Sequence, residues 1–112
     1  MCTELTEEDQ LLPGGDPSPA VVLFWHADDP RNEAMRATFA KMNWPRGYRV
    51  LTVCLGERNR RLQAWFSLDG RAGVAILADG ALLAIEDSCD EAACRRLIDM
   101  AEACLVTFEQ DL

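Results

Sequence analysis

The chain has 112 residues, of which 49% are hydrophobic and 27% charged, and its formal net charge is −8. That length suits one domain with one hydrophobic core, and the composition is typical of a globular protein. No run of residues approaches the ~20 apolar residues of a membrane span. The acidity argues against a nucleic acid partner, because such proteins usually present a basic face. It favours a basic protein or peptide partner instead.

Residues 1–18 are acidic and contain neither lysine nor arginine. The segment lacks the basic start and the apolar stretch of a secretory signal, so we expect a cytoplasmic location. We predict that residues 1–18 form an acidic, partly ordered segment and that residues 19–106 form the folded domain. Residues 107–112 are expected to be an acidic tail.

The first half of the domain predicts a strand followed by a helix. A continuous apolar run over residues 20–26 is typical of a strand that is buried on both faces. Either Asp28 or Asp29 is expected to cap a helix whose first residue is Pro30. Residues at helical spacing form the inward face of this helix, namely Met35, Thr38, Phe39 and Met42.

The second half predicts a strand over 49–55, a short helix over 59–66 and strands over 73–78 and 81–85. Asp79 and Gly80 join the last two strands, and Asp-Gly between apolar runs is a strong hairpin signal. The final helix is expected to begin at Ser88 or Asp90 and to run to about residue 104. The side chains predicted to face inward from these two helices are Leu62, Trp65, Phe66, Ala93, Leu97, Met100, Ala101 and Cys104.

The order β-α-β-α-β-β-α resembles the core of the thioredoxins. Residues 20–29 (Ala-Val-Val-Leu-Phe-Trp-His-Ala-Asp-Asp) are similar to the family's apolar strand and active-site turn, and residues 66–80 to its cis-proline loop, next strand and Asn/Asp-Gly turn. The resemblance implies an α/β, thioredoxin-like fold: a central mixed sheet of four or five strands flanked by helices on both faces. The expected core comprises Val21, Val22, Leu23, Phe24, Phe39, Val50, Leu51, Val53, Val74, Ile76, Leu97 and Ala101.

The residues that carry thioredoxin chemistry are replaced in this chain. By the resemblance, the two cysteines of Cys-x-x-Cys fall on Asp29 and Asn32, the buried acid on Leu23 and the cis-proline on Ala72. Thiol-disulfide exchange needs a thiolate nucleophile and a resolving thiol, and neither Asp nor Asn supplies one. A cis bond before a residue other than proline costs about 2.5–4 kcal/mol, so we predict a trans bond between Arg71 and Ala72. The joint loss predicts a redox-inactive protein that is not an enzyme.

The groove beside the active-site turn remains as a candidate binding surface. It would receive an extended peptide of basic or mixed charge, with strand addition as one mode of binding, and no cofactor or metal is expected. A histidine beside carboxylates could also act as a general acid or base or bind a metal, although aspartates at a helix start more often serve as caps. The candidate residues are Trp25, His26, Asp28, Asp29, Pro30, Asp69, Arg71 and Ala72.

Two classes of function follow from this sequence. The first is a chaperone or accessory module that acts by binding a protein or peptide. In its lost cysteines and its acidity the chain is similar to hydrogenase-expression accessory proteins, which implies a role in maturing another protein. The second is a thiol-disulfide oxidoreductase that uses Cys89 and Cys94, which bracket a predicted helix start where a thiol pKa can be lowered. The five cysteines match no zinc or Cys-x-x-Cys spacing.

Overall fold

The computed structural model describes residues 3–68 and 70–110, with side chains described as far as residue 103. These residues form a sheet of five strands, β1 (Thr3–Glu4), β2 (Ala20–Trp25), β3 (Arg49–Cys54), β4 (Gly73–Ala78) and β5 (Ala81–Glu86). Their order in the sheet is β1-β3-β2-β4-β5. Strands β1, β2 and β3 run parallel to one another, and β4 is antiparallel to both β2 and β5, so the predicted mixed sheet is confirmed.

Helices cover both faces of the sheet, as predicted. α1 (Asn32–Lys41) and α3 (Glu91–Gln110) pack on one face, and α2 (Arg60–Trp65) packs on the other. Short 3₁₀ turns at Glu8–Gln10 and Glu57–Asn59 complete the described elements. None of the helices in the described part of the chain is long and apolar enough to cross a membrane.

The central strand β2 supplies side chains to both hydrophobic layers. Val21 and Leu23 contact the layer under α1 and α3, whereas Val22 and Phe24 contact the layer under α2. Alternate residues of a strand point to opposite faces of the sheet, so a continuous apolar run is needed where both faces are covered. All four of these side chains are fully buried, as the sequence predicted.

The β4–β5 hairpin is also confirmed, together with its turn. Asp79 and Gly80 both have positive φ angles, of 51° and 73°. Positive φ at both central residues is the requirement of a type I′ turn, which Asp-Gly satisfies best. Gly80 is needed for a second reason, because a Cβ atom there would lie 2.8 Å from the ring of Pro13.

The start of α1 differs from the prediction. The helix begins at Asn32 rather than at Pro30, and neither Asp28 nor Asp29 is its cap; the residue before the helix is Arg31. The Asp29 side chain instead accepts the backbone N–H of Arg31 at 2.8 Å. The Asp29 carboxylate is thus engaged in an Asx turn before the helix, and the first helical residue is Asn32.

Two predictions of inward side chains are wrong. Trp65 is 57% exposed and Met100 is 45% exposed. Val50 is half-buried and packs against the layer under α1 and α3. Leu62 and Phe66 occupy the inward face of the short helix α2, so Trp65 lies outside it and its Nε1 donates to the Gly80 carbonyl at 2.6 Å. Met100 lies at the edge of the buried stripe of α3, which comprises Ala93, Cys94, Leu97 and Ala101. The backbone of α3 also continues to Gln110, beyond the predicted end at Cys104, whose side chain lies outside the described residues.

The acidic N-terminal segment forms ion pairs with Arg61, which belongs to a cluster of arginines at Arg58, Arg60 and Arg61. Strand β1 pairs with β3. Because β1 has only two residues, the sequence pattern could not reveal it. Glu8 accepts hydrogen bonds from Arg61 Nε and from the Leu62 N–H, each at 3.0 Å, and Asp9 forms a further ion pair with Arg61. Part of the acidity that the sequence offered to a partner is thus neutralised within the molecule.

Replacing Glu8 with glutamine tests this attachment. Partial burial opposes ionisation of Glu8, but the hydrogen bonds from Leu62 and Arg61 outweigh it and lower the pKa of its carboxyl group. A lowered pKa gives stability that is present above the unfolded pKa and lost as the pH falls through the folded pKa. We therefore expect Glu8→Gln to lower the free energy of unfolding by up to about 1 kcal/mol at pH 7, and this effect to shrink as the pH falls below the ordinary glutamate pKa of about 4.3.

Urea unfolding at pH 7 and at pH 3.5 measures this difference. Glu7→Gln is the matched control, because Glu7 is an exposed neighbour of the same type. An equal effect of Glu8→Gln at both pH values would contradict the electrostatic account of the attachment.

Candidate functional site

The candidate site lies where the parallel strands β2 and β3 end. Trp25 and Cys54 are register partners at the carboxyl ends of these strands. The connection after β2 leads to α1 on one face, and the connection after β3 leads to α2 on the other. Adjacent strands whose connections leave on opposite faces open a crevice at their carboxyl ends, where ligands of open α/β sheets bind.

Two successive turns connect β2 to α1 at this crevice. The Asp29 N–H donates to the His26 carbonyl at 3.2 Å, and the Asn32 N–H donates to the Asp29 carbonyl at 3.0 Å. Asp29 also forms an ion pair with Arg31 at 2.9 Å, and the hydrogen bonds from Arg31 lower the pKa of the Asp29 carboxyl group. The turn therefore holds a compact ion pair between neighbouring residues, and it contains no cysteine.

His26 joins this turn to the loop before β4. Its Nε2 donates to the carbonyl oxygen of Gly70. Arg71 extends the connection, because its Nη1 contacts the Asp87 carboxylate at 3.3 Å while its Nε donates to the Leu68 carbonyl. The turn, the loop and the end of β5 thus form one connected rim, in which His26 bonds to the backbone of the loop.

The loop offers little backbone for strand addition. The peptide bond between Arg71 and Ala72 is trans, as predicted. The Arg71 N–H donates to the Leu68 carbonyl at 2.9 Å, and the Ala72 side chain is buried beneath α1 and α3. The N–H of Arg71 is therefore already used within the loop and is not free to pair with an added strand.

Trp25 lies partly in the core and partly under a cation. Its ring packs against the layer under α1, and the guanidinium of Arg36 lies 4.5 Å from the ring centroid. A cation over an indole face is favourable by roughly 0.5–1 kcal/mol at an exposed position. The contact of Arg36 with Trp25 was not predicted, because helical spacing places Arg36 on the outer side of α1 and gives no information about a residue on another element.

A groove of about 520 Å³ runs beside Arg36 between α1 and the β1–β3 edge. Glu4 and Thr52 line it from the strands, joined by a hydrogen bond of 2.5 Å. Asn32 lines it from the helix, and its buried Oδ1 has no hydrogen-bond partner. The sequence did not predict this groove because β1, which supplies Glu4, could not be predicted.

The predicted site residues are thus only partly brought together on an accessible surface. Trp25, His26 and Asp29 are half-buried, Asp28, Pro30 and Arg71 are exposed, and Ala72 is buried. Asp69 lies outside the described residues. Of the predicted site residues that the structure describes, Asp28 and Arg71 are the exposed charged ones, and Arg71 is paired with Asp87.

Cys89 and Cys94 form a close pair, and Cys89 shares a cleft with Arg31 of this turn. Their sulfur atoms are 3.5 Å apart, and the thiols are 2% and 0% exposed. The hydrogen bond with Cys94 and the burial of the site both raise the pKa of Cys89. The two cysteines are free thiols, as is Cys54.

Comparison with solved structures identifies the architecture. The thioredoxin Mala s 13 of Malassezia sympodialis superimposes with a TM-score of 0.73 at 9% identity, over 90% of each chain. Thioredoxin F of spinach chloroplast gives 0.70 at 14% identity, over 90% of this chain and 93% of the other. Thioredoxin f2 of Chlamydomonas reinhardtii gives 0.70 at 14% identity, over 89% and 95%.

The chain has a thioredoxin fold. At these identities the likeness concerns the fold alone, and no protein-family model and no curated protein matches the sequence. The bond from His26 to Gly70 joins the turn over 26–31 to the loop over 70–72 within this fold.

Proposed function

We propose that this chain binds an extended segment of a partner protein at the rim formed by residues 26–31 and 70–72, without thiol chemistry. The observation that carries the proposal is the ion pair between Asp29 and Arg31, which occupies the turn where a thioredoxin would need its nucleophile. Thiol exchange requires a thiolate that a disulfide can reach. A rim that keeps its connections and lacks a thiol suits recognition.

Charge indicates the kind of segment. The chain carries a net charge of −8, and Asp28 is exposed in the turn over 26–31. Asp29 is already paired with Arg31, and Asp87 with Arg71. Asp28 is therefore the carboxylate we assign to a basic side chain of the partner. The more specific likeness to hydrogenase-expression accessory proteins, the accessory role and the cytoplasmic location stay predictions.

Replacing Asp28 with asparagine is expected to slow association with a basic peptide more than it speeds dissociation. Two unit charges about 6 Å apart in water interact by about 0.7 kcal/mol, so the rate should fall about threefold at low ionic strength. The difference should shrink as salt is added, because the Debye length falls to about 8 Å at 0.15 M.

The measurement is stopped-flow binding of labelled, extended lysine-rich peptides, compared with the same peptides carrying glutamate in place of lysine. Asp99→Asn is the matched control, because Asp99 is an exposed aspartate on α3. Equal association rates for Asp28→Asn and Asp99→Asn would place the interface elsewhere. Preference for the glutamate peptides would contradict a basic partner altogether.

Thiol-disulfide exchange at Cys89 and Cys94 is a second candidate function. The sulfur separation of 3.5 Å favours it, because the two thiols need little movement to form a disulfide. Their exposures of 2% and 0% count against attack on a disulfide of another protein, because exchange depends on access as well as on thiolate character.

A further inference from the structure

Cys89 and Cys94 occupy two defined positions around the start of α3. Asp90 caps the helix, because its Oδ1 accepts the N–H of Ala93 at 2.8 Å and its carbonyl accepts the N–H of Cys94 at 3.0 Å. Cys89 therefore precedes the cap and Cys94 is the fourth residue of the helix. Apolar residues at these two positions often pack as a hydrophobic staple, and a buried free cysteine behaves as a small apolar residue.

Two thiols at these positions can also approach each other to form a disulfide bond. The sulfur atoms are hydrogen-bonded at 3.5 Å, and either one can be the donor. A disulfide bond is about 2.05 Å long, so bond formation requires the sulfur atoms to approach by about 1.5 Å. One partner lies in the loop after β5, so the movement need not displace the helix.

A cleft open to solvent reaches Cys89 of this pair. It has a volume of about 240 Å³ and is lined by Arg31, by Met35 and Thr38 of α1, and by Ser88 and Cys89 of the loop. That volume admits a small peroxide, whereas the 2% exposure of Cys89 leaves little surface for a disulfide of another protein.

We propose that Cys89 and Cys94 are an oxidation site, which a peroxide of low molecular weight converts into a reversible intramolecular disulfide. This inference goes beyond the proposed binding function and does not depend on it. The thiolate forms on Cys89, because Cys89 is the member of the pair that lines the cleft. That thiolate attacks one peroxide oxygen, the O–O bond breaks, and Cys89 becomes a sulfenic acid with release of hydroxide.

The second step closes the bond. The Cys94 sulfur attacks the sulfur of the sulfenic acid, the S–O bond breaks, and the departing hydroxide takes the Cys94 proton as water. The proton that Cys89 lost neutralises the first hydroxide. In sum, two thiols and one hydrogen peroxide give one disulfide and two water molecules. Both cysteines are buried, so we expect the bond to form under sustained peroxide rather than on brief exposure.

The test is exposure of the folded, reduced chain to hydrogen peroxide, followed by alkylation of the remaining thiols and peptide mapping without reductant. We expect loss of two hydrogen atoms from the intact mass, a disulfide that joins Cys89 to Cys94, and its removal by dithiothreitol. Cys54→Ala is the matched control and should give the same bond. Cys94→Ala should leave Cys89 as a sulfenic acid that a dimedone-type probe labels.

Peptide mapping of the peroxide-treated wild-type chain tests the proposed disulfide even if Cys94→Ala fails to fold. Alkylation of both Cys89 and Cys94 after prolonged peroxide treatment would overturn the proposal and leave a hydrophobic staple only. So would a disulfide that forms only when circular dichroism shows the chain to be unfolded, or one that joins either residue to a different cysteine.

Discussion

Truncation of Phe24 or Phe39 to alanine is expected to lower the free energy of unfolding by about 3–5 kcal/mol. Both side chains are fully buried, Phe24 in the layer under α2 and Phe39 in the layer under α1 and α3. Each truncation removes apolar contacts and leaves a cavity that the close-packed surroundings fill only in part. Small domains have about 5–15 kcal/mol of total stability, so either change removes a large share.

Equilibrium unfolding in urea, followed by circular dichroism, measures both changes. Leu83→Ala is the control, because Leu83 is 42% exposed on the edge strand β5, and we expect it to cost less than about 0.5 kcal/mol. Since the two phenylalanines lie on opposite faces of the sheet, the double truncation should unfold the chain. A Phe24→Ala variant as stable as the wild type would contradict the two-layer packing.

Replacing Leu23 with aspartate is expected to have an effect at least as large. Leu23 is fully buried in the central strand, between β3 and β4 and under α1 and α3. Burial of an unpaired carboxylate costs several kcal/mol, and the group is driven to its neutral form instead. We expect a loss of about 4 kcal/mol or more at pH 7, and partial recovery as the pH falls and the carboxylate takes up a proton.

Leu23→Met is the matched control, because it conserves volume and polarity and should cost less than about 1.5 kcal/mol. Thermal unfolding of the three proteins at pH 7 and at pH 5 compares them. An aspartate variant as stable as the methionine variant would show that this strand tolerates the acid that thioredoxins carry at the corresponding place. The loss we expect means that thioredoxin chemistry cannot be restored to this chain without cost to its fold.

Much of the fold could be predicted because its signals are local. The apolar run of β2 and the Asp-Gly turn of the hairpin each depend on neighbouring residues, and both are confirmed. Strand β1 has only two residues, too few for alternation to be visible. The exposure of Trp65 depends on a hydrogen bond to Gly80, fifteen residues further along the chain. Spacing within one helix cannot reveal such a contact.

The candidate site was predicted less completely than the fold, for the same physical reason. The resemblance placed the turn and the loop together, but the bond from His26 to Gly70 joins residues 44 positions apart. The contact of Asp29 with Arg31 could have been predicted from the sequence, because an aspartate commonly accepts the N–H two residues later in an Asx turn. The closeness of Cys89 to Cys94 was also within reach, since both flank the cap of one helix.

Reduction of insulin in the presence of dithiothreitol, followed by turbidity, tests most directly whether this thioredoxin fold acts without thiol chemistry. An ordinary thioredoxin serves as the positive control. We expect insulin to precipitate at the same rate with and without the chain, because the turn over 26–31 lacks cysteine and the Cys89–Cys94 pair is buried. An acceleration that disappears in Cys89→Ser would contradict the account and assign the chain to thiol-disulfide exchange at that pair.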